Sequence, residues 1–422
     1  MAKSFIVKGN IIFSKSPEEL SVNEGSYLVC ENGKSAGVFK ELPERYANLP
    51  MDDFGERLII SGLCDLHLHA CQYAFRGTGM DLELLDWLNT QAFPEEARYE
   101  NLEYAERAYD MFVQELLSGP TTSAVIFATL HRQASLILME KLEKSGLRSL
   151  VGKVNMDRNS PSYLIEETAA SLSETEEWIK ESARFKKTGP IITPRFTPSC
   201  SDTLMEGLGK LQKKYGLPVQ SHLSENLDEV EWVKKLCPDC EDYGETYERF
   251  GLFGDKSKTV MAHCVYSSES EVARMKRRGV YIAHCPQSNT NLTSGIAPAR
   301  LYLKEGLNIG LGTDLAGGAN TCLFRTMASA VQVSKLRWRL VDKSLPPLSF
   351  PEVFYMASLG GGSFFGKVGS FDKDYIFDAV VLDDSGICSP RPMSLSQRLE
   401  RLMYLGCDGL VTGKYVDGIR LF

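Results

Sequence analysis

The sequence lacks the long charged and apolar runs that mark several classes of protein. No basic run is long enough to follow a nucleic-acid backbone, and the formal charge is −8, from 47 basic and 55 acidic residues. No stretch reaches the roughly 18 apolar residues that a membrane span requires. The first apolar run is broken by Lys8, Gly9 and Asn10, so it has no continuous signal-peptide core. We therefore expect a cytoplasmic protein that binds neither nucleic acid nor membrane.

The cysteine pattern is also not that of a disulfide framework. The eleven cysteines are an odd number, scattered through apolar segments, and we interpret them as reduced core residues. Cys237 and Cys240 form a CPDC that suits half of a zinc site or a redox pair, but no second Cys-x-x-Cys accompanies it. The cytidine-deaminase type of zinc site needs His-x-Glu and then Pro-Cys-x-x-Cys, which this sequence does not supply.

Both ends of the chain are β-rich. SFIVKGNIIF is typical of a strand, and SYLVCENGKSAGVF of a hairpin that turns at Asn32-Gly33. Near the other end, FDAVVLDD is typical of a strand, and LVTGKYVDGIRLF of a hairpin that turns at Asp417-Gly418. We predict that residues 1–58 and 371–422 together form one small β-sandwich domain.

Between these ends, short apolar strands alternate with longer amphipathic helices. Eight strands are predicted: LIISGLCDLHLH, TSAVIFAT, RSLVGKVNMD, GPIITPRF, LPVQSHLSE, TVMAHCVY, VYIAHCPQ and LNIGLGTD. Alternation of this kind predicts parallel βαβ units, and eight units close into a (β/α)8 TIM-like barrel, here over residues 59–370. The fold class is therefore α/β. An open doubly wound sheet is the alternative, although it normally has a glycine-rich phosphate loop after its first strand.

The few histidines concentrate at predicted strand ends. Of six histidines, only His131 lies elsewhere; the other five are His67, His69, His222, His263 and His284. His67 and His69 share one strand face, and Asp314 ends the last strand, so these groups can converge where barrel enzymes keep their active sites. Imidazoles with one carboxylate suit zinc or iron, either of which would acidify a bound water into a hydroxide nucleophile.

Other polar residues at the same ends fit a reaction on a flat heterocycle. Glu225 follows His222 closely enough to serve as general base and acid; its alternative role is that of an acidic residue near a helix N-terminus. Arg195 and Phe196 pair a planar donor with an aromatic face, and Gln72 can both donate and accept. Arg195 could equally be a surface residue.

These pieces, in this order, resemble the amidohydrolase superfamily and, within it, the guanine deaminase family. The resemblance extends from about residue 60 to about residue 320, and its stretches are GLCDLHLHACQYAFRGTGMDLELLDWL, TPRFTPSCSDTLM, QSHLSENLDEVEWVK, TVMAHCVY, AHCPQSNTNLTSG and GLGTDLAGG. It implies zinc held by His67, His69, His222 and Asp314. It also implies His263 beside the metal-bound water, Glu225 as proton shuttle, and His284 as a supporting residue.

For the substrate, the resemblance implies a purine held by five residues: Gln72, Arg195, Phe196, His222 and Glu225. The bridging lysine of two-metal relatives is absent from IITPRF, which favours one zinc per chain. The expected reaction converts guanine and water into xanthine and ammonia, with Asp314 and His263 assisting Glu225 in catalysis, and the expected assembly is a homodimer. Aminohydrolases of cytosine, adenosine-like or triazine substrates are alternatives, as is a non-catalytic amidohydrolase-like scaffold.

Overall fold

A computed structural model describes residues 4–255, 257–406 and 409–422. The strands of this part of the chain are β1 (Phe5–Ser14), β2 (Leu20–Glu31), β3 (Lys34–Phe39), β4 (Met51–Ser61), β5 (Leu63–His69), β6 (Thr121–Phe127), β7 (Arg148–Gly152), β8 (Val154–Asn155), β9 (Thr188–Pro190), β10 (Thr193–Pro194), β11 (Val219–Leu223), β12 (Thr259–His263), β13 (Tyr281–His284), β14 (Asn308–Leu311), β15 (Ala379–Leu382), β16 (Val411–Val416) and β17 (Ile419–Arg420). 

The helices connect these strands. They are α1 (Leu84–Trp87), α2 (Phe93–Ala97), α3 (Leu102–Ser118), α4 (Arg132–Ser145), α5 (Thr168–Ser182), α6 (Asp202–Tyr215), α7 (Leu227–Leu236), α8 (Glu245–Glu248), α9 (Glu269–Arg278), α10 (Pro286–Asn291), α11 (Ala299–Lys304), α12 (Leu323–Leu340), α13 (Phe350–Tyr355) and α14 (Leu395–Leu405). Nowhere in the described ranges is a helix both long enough and apolar enough to span a membrane.

The two ends of the chain share one seven-stranded sheet, in the order β17-β16-β15-β4-β1-β2-β3. Both predicted hairpin turns are confirmed. Asn32 and Gly33 have φ of 53° and 83°, and Asp417 and Gly418 have φ of 52° and 67°. Asparagine, aspartate and glycine tolerate this left-handed conformation, which two-residue hairpin turns require.

The middle of the chain contains an eight-stranded sheet in the order β11-β12-β13-β14-β5-β6-β7-β9, and every pair in it is parallel. The predicted α/β fold with a parallel sheet is therefore confirmed. Its outermost strands also approach each other: Ile192, just after β9, bridges Val219 of β11, and Gln220 N donates to Ile192 O at 3.0 Å. The carboxyl ends of these strands consequently lie on one side.

Three predicted strands are each divided in the structure. RSLVGKVNMD contains β7 and β8, and GPIITPRF contains most of β9 and all of β10; β8 and β10 pair with each other in a separate two-stranded sheet. The third is the first strand of the predicted barrel. LIISGLCDLHLH is two strands, because β4 ends at Ser61 in the terminal sheet and β5 begins at Leu63 in the parallel sheet. Gly62 lies at the change of sheet, where a Cβ would meet Thr122 Oγ1 at 2.1 Å. The close approach needs glycine, and it directs β5 into the parallel sheet with both histidines at its carboxyl end.

One amphipathic stretch is helical over only part of its length: YLIEETAASLSETEEWIKESARF, residues 163–185, suits a helix throughout. In the structure α5 covers Thr168–Ser182, and its first turn is capped by the Glu167 side chain, which accepts from Ala170 N. The residues before Glu167 are not helical; there Glu166 accepts from Lys153 Nζ and from Ser171 Oγ. A side chain at the helix entrance thus sets a boundary that periodicity alone does not show.

Candidate active site

Five side chains converge at the carboxyl ends of four strands of the parallel sheet. This donor cluster consists of His67, His69, His222, His263 and Asp314, from β5, β11, β12 and the residues after β14. His69 Nε2 lies 3.2 Å from His222 Nε2, and His67 Nε2 lies 3.1 Å from Asp314 Oδ1. His69 Nε2 is 3.6 Å from the same oxygen. The topology of a parallel sheet therefore brings together residues that are up to 247 positions apart in sequence.

The spacing of these atoms fits one metal ion. Two ligand atoms on a tetrahedral ion with bonds of about 2.0–2.1 Å are about 3.3 Å apart, close to the separations in the donor cluster. His67 Nε2 is buried and has no hydrogen-bond partner. His222 Nδ1 donates to Arg195 O at 2.6 Å, which leaves Nε2 with a free lone pair. The donors thus match the nitrogen and carboxylate set that zinc prefers.

Burial keeps the imidazoles in the form that a metal binds. It lowers the pKa of His69 and of His222 well below the ordinary histidine value, and the neighbouring His67 lowers both further. Burial acts to raise the pKa of Asp314, but His67 and His263 outweigh it and hold that pKa well below the ordinary carboxyl range. Neutral imidazoles beside an ionised carboxylate are the ligand states that a divalent cation requires.

Asp314 is held in place by the strand beside it. Its backbone has φ of 48°, and its N–H donates to His67 O at 2.8 Å. Asp65, fully buried on β5, accepts from Thr313 N at 3.0 Å, from Thr313 Oγ1 at 2.5 Å and from His67 N at 3.2 Å. Asp65 therefore fixes two members of the donor cluster relative to each other.

Glu225 lies beside the donor cluster. Its Oε2 is 3.4 Å from His263 Nε2, and its Oε1 accepts from Ser294 Oγ at 3.3 Å. Burial raises the pKa of Glu225 well above the ordinary range, and the charge of Asp314 raises it further. His263 Nδ1 donates to Asn289 Oδ1 at 2.9 Å, which fixes the ring. A carboxyl group with a raised pKa can carry a proton at neutral pH, as acid–base catalysis needs.

Two further buried carboxylates support the backbone around Glu225. Glu229 accepts from Glu225 N at 2.8 Å and from Tyr243 Oη at 2.8 Å. Glu271 accepts from Ser224 Oγ and from Gly244 N, both at 2.8 Å. Because Ser224 has φ of 47°, the segment that carries Glu225 is held in a conformation that few residues adopt without such contacts.

The predicted purine-binding residues line a cavity next to the donor cluster. Gln72, Arg195 and Phe196 line it, together with His69, His222, His263, Glu225, Glu229 and Asp314, and with the apolar side chains of Leu84, Trp87, Leu88 and Leu292. The structure thus brings Gln72, Arg195 and Phe196 to the same cavity as the donor cluster. Arg195 is buried, unlike the surface residue of the alternative interpretation.

Arg195 and Gln72 share a partner that the sequence did not reveal. Glu96 accepts from Arg195 Nη1 at 2.5 Å and from Arg195 Nη2 at 2.9 Å, and it accepts from Gln72 Nε2 at 2.8 Å. We call Gln72, Glu96 and Arg195 the arginine wall. Glu96 lies in FPEEARYE, where two adjacent glutamates resemble an ordinary solvated helix face. The sequence does contain one signal: Glu96, unlike Glu95, has no basic residue three or four positions away along the chain.

The remaining candidates lie outside the cavity lining. His284 on β13 is buried, and neither of its ring nitrogens has a hydrogen-bond partner; burial lowers its pKa to about 4, and the nearby His263 adds to the effect. Cys237 and Cys240 are free thiols at the end of α7. Among the described residues the groups suited to a metal are His67 with His69 and His222, and His67 with His263 and Asp314, so neither cysteine belongs to them.

The sequence as a whole was then compared with known proteins. The model of the amidohydrolase family matches residues 58–420. The chain belongs to this family. It is 40% identical to the guanine deaminase of Rattus norvegicus over 428 aligned residues, 97% of this chain and 89% of the rat protein. It is 37% identical to the guanine deaminase of Dictyostelium discoideum, over 87% of this chain and 83% of that relative.

A solved structure of an amidohydrolase is similar over the whole chain. It is the guanine deaminase from C. acetobutylicum with bound guanine in the active site, which superposes with a TM-score of 0.97 and 48% identity, covering 100% of both chains. The resemblance of the sequence to the guanine deaminase family is therefore confirmed.

Proposed function

We propose that this amidohydrolase deaminates guanine by hydrolysis, forming xanthine and ammonia, in purine breakdown or salvage. The observation that carries the proposal is that Glu225, beside His263 of the donor cluster, lines the same cavity as Gln72 and Arg195 of the arginine wall. A purine bound there lies within reach of both. Support also comes from the guanine deaminases of rat and Dictyostelium, and from the relative whose structure contains guanine.

We propose that one zinc ion is held by His67, His69, His222 and Asp314, with iron as an alternative metal. Bound there, the ion supplies a water whose pKa is lowered toward neutrality. Support for zinc comes from the tetrahedral spacing, the burial and the nitrogen-rich donor set. The absence of a lysine from IITPRF supports a single ion rather than two.

Glu225 is the proposed proton shuttle. It accepts a proton from the attacking water and delivers it to N3 of guanine, so that C2 can become tetrahedral. The raised pKa of the Glu225 carboxyl makes the carboxylate a stronger base and lets the protonated form persist until the transfer to N3. The Ser294 hydroxyl and the Glu229 contact to Glu225 N hold the carboxyl group in this position.

Asp314 and His263 complete the proton transfers. Asp314 Oδ2 lies 3.7 Å from His263 Nε2, and both groups face Glu225. We propose that they orient the water and that Asp314 helps to move the second proton to the exocyclic amine, which leaves as ammonia. The Asn289 contact keeps the His263 ring in the orientation that this requires. His284, one strand away, is proposed to support His263 without ligating the metal.

The rest of the cavity holds the base and excludes water. Gln72 and Arg195 offer hydrogen-bond donors to the purine, and Phe196 offers an aromatic face. His222 and Glu225 contact it from the metal side. Leu84, Trp87, Leu88 and Leu292 cover the base with apolar side chains.

The test is direct. Purified zinc-loaded protein is mixed with guanine, and the loss of guanine absorbance and the release of ammonia are followed together. We expect both at equal rates. Cytosine, adenosine and an aminotriazine form the comparison panel. Little guanine turnover beside rapid ammonia release from another base would contradict the proposal in favour of that base. A protein that turns over none of these bases and retains no stoichiometric zinc after loading would favour a non-catalytic scaffold.

We also propose the finer features of the architecture. The eight-stranded sheet is a closed (β/α)8 barrel, as supported by the Ile192–Val219 bridge and by a cluster of interior side chains from both halves of the sheet, including Leu66, Val125, Val260 and Ala283. The small β-sandwich domain is proposed to consist of residues 1–58 and 371–422, extended to Ser61 because β4 continues to that residue in the terminal sheet; the bridge between Lys34 and Ile376 supports the association of the two segments. Limited proteolysis would test these boundaries.

A homodimer is the proposed assembly, as the resemblance to the guanine deaminase family implies. Light scattering of the purified protein at several concentrations would measure the mass. We expect twice the 47.0 kDa of one chain. A mass of one chain at every concentration would contradict a dimer.

A further inference from the structure

Helix α2 delivers two side chains to the same guanidinium group. Glu96 forms a two-point ion pair with Arg195, with distances of 2.5 and 2.9 Å, and Phe93 places its ring centroid 4.9 Å from Arg195 Cζ. All three side chains are buried. A planar guanidinium that is paired at one edge and covered on one face has a single orientation available.

The same carboxylate sets the orientation of Gln72. Gln72 Nε2 donates to Glu96 Oε1 at 2.8 Å, while Gln72 Oε1 accepts from Ala316 N at 3.0 Å. Turning the amide over would place its oxygen against the Glu96 carboxylate and its NH2 group against the Ala316 N–H. Both contacts are repulsive, so Glu96 and Ala316 together fix which end of Gln72 faces which partner.

The hydrogen-bonding groups of the arginine wall that Glu96 and Ala316 leave unoccupied are mostly N–H donors. Arg195 has five N–H groups and no acceptor, and Glu96 occupies two of them. Gln72 Nε2 keeps one further N–H. Glu96 also neutralises the charge of Arg195, so the wall offers donors without a net positive charge. Such a wall suits a neutral base that presents an oxo group and a ring nitrogen acceptor.

We propose that Glu96 is a positioning residue that makes the arginine wall select an oxo group over an amino group on the bound purine. It acts through Arg195 and Gln72. This role of Glu96 rests on the proposed function, because that function identifies the bound base as a purine. An amino group facing these donors would leave buried N–H groups unpaired, and an unpaired buried donor is the strongest basis for rejecting an analogue.

The test compares Glu96→Gln with the wild type in binding as well as in turnover. Hypoxanthine and adenine serve as ligands, because they differ at C6 and have no 2-amino group to be removed. Calorimetry gives the dissociation constant of each. We expect the preference for hypoxanthine over adenine to fall at least about tenfold in Glu96→Gln, the factor that corresponds to one hydrogen bond to a charged group. With guanine, KM should rise by a similar factor, and zinc content should not change.

Glu95→Gln is the matched control. Glu95 is the adjacent residue of the same helix and is also buried, but its carboxylate accepts from Tyr104 Oη and not from Arg195 or Gln72. We expect Glu95→Gln to keep both the wild-type preference and the wild-type KM. If Glu95→Gln and Glu96→Gln reduce the preference equally, α2 acts only as a structural element and the inference is overturned.

A double-mutant cycle keeps the inference testable if Glu96→Gln leaves the buried Arg195 charge unpaired and fails to fold. Glu96→Gln/Arg195→Gln carries no unpaired charge, and in Arg195→Gln the buried Glu96 carboxyl can take up a proton in place of its lost cation. If Glu96 acts through Arg195, adding Glu96→Gln to Arg195→Gln should change the preference less than twofold. A further tenfold loss in the double variant would overturn the inference.

The outcomes separate the inference from the proposed function. Guanine turnover in the wild type together with an unchanged preference in Glu96→Gln would overturn the inference alone. A wild type that prefers hypoxanthine, loses the preference in Glu96→Gln and yet does not deaminate guanine would overturn the reaction but support the role of Glu96. A wild type that binds neither base and does not deaminate guanine would contradict both.

Discussion

The donor cluster and the arginine wall both contribute side chains to one cavity, but the chain builds them in different ways. Every member of the donor cluster lies at or just after the end of a strand of the parallel sheet. The arginine wall combines Gln72 and Arg195, which follow strands, with Glu96, which comes from α2 in the long connection between β5 and β6. Strand topology therefore determines where the metal chemistry occurs, and a connecting segment determines what the site recognises.

Removing a member of the donor cluster should have the largest effect. In His222→Ala, we expect loss of stoichiometric zinc, turnover at background and a lower midpoint of thermal unfolding, because a ligand bound to the native state alone stabilises it by about 4 kcal/mol at 1,000 times its dissociation constant. Metal analysis, guanine turnover and thermal unfolding measure the three. His131→Ala is the control, since His131 precedes α4 away from the cavity. Full zinc content and turnover in His222→Ala would contradict the ligand assignment.

Replacing the shuttle should separate metal binding from proton transfer. In Glu225→Gln, zinc should remain while kcat falls by about 10² to 10⁴, the usual contribution of a general acid–base group. The glutamine cannot carry the proton, although it matches the shape of the glutamate. Glu231→Gln is the control, because Glu231 lies exposed on α7, the helix that follows Glu225. Turnover of Glu225→Gln at the wild-type rate would remove Glu225 from the mechanism.

Weakening the support of the donor cluster should have an intermediate effect. Asp65→Ala leaves His67 N and Thr313 N without the acceptor that they share. Partners of metal ligands typically contribute 10-fold to 100-fold to metal affinity or activity, so we expect zinc affinity to fall by about that factor. Competition with a chelator measures it. Asp65→Asn keeps one acceptor oxygen and should lose less; equal affinity in wild type and Asp65→Ala would show that Asp65 does not position the ligands.

The donor cluster could be predicted from the sequence, whereas the arginine wall could be predicted only in part. The spacing of His67 and His69 and the positions of His222, His263 and Asp314 place these residues at strand ends before any coordinates are known, because side-chain alternation and parallel topology are regular. Glu96 could not be found this way. Its role depends on how α2 packs, and neither a period nor a motif encodes a contact across 99 residues between Glu96 and Arg195.

The fold shows the same division. The turns at Asn32-Gly33 and Asp417-Gly418 follow from local conformational preference, so the sequence predicts them well. The break at Gly62 does not, since apolar residues of LIISGLCDLHLH lie on both sides of Gly62 and suit either sheet. What separates β4 from β5 is the close approach of Thr122 to Gly62, a contact between distant parts of the chain.

The smallest effect that we expect is on stability, from the carboxylate behind Glu225. Burial raises the pKa of Glu271 to about 7, and the charge of Asp242 also acts to raise it, against the hydrogen bonds from Ser224 and Gly244 N. An unfolded glutamate has a pKa of about 4.3, so the folded state binds more protons between these values. The free energy of unfolding should therefore fall as pH rises from about 5 to about 7, by up to about 1.4 kcal/mol per pH unit for this group.

Glu271→Gln resembles the protonated form and should lose this part of the pH dependence. Urea unfolding of the zinc-loaded protein at pH 5, 6 and 7 gives the slope for each variant, and the difference between wild type and Glu271→Gln isolates the one group from the other buried carboxyls. Glu269→Gln, exposed on the same helix, should keep the wild-type slope. Parallel slopes for wild type and Glu271→Gln would mean that Glu271 titrates at its ordinary pKa. The segment that carries Glu225 would then be supported by an ionised carboxylate from pH 5 to pH 7. In its charge, that support would resemble Glu96 in the arginine wall rather than the neutral imidazoles of the donor cluster.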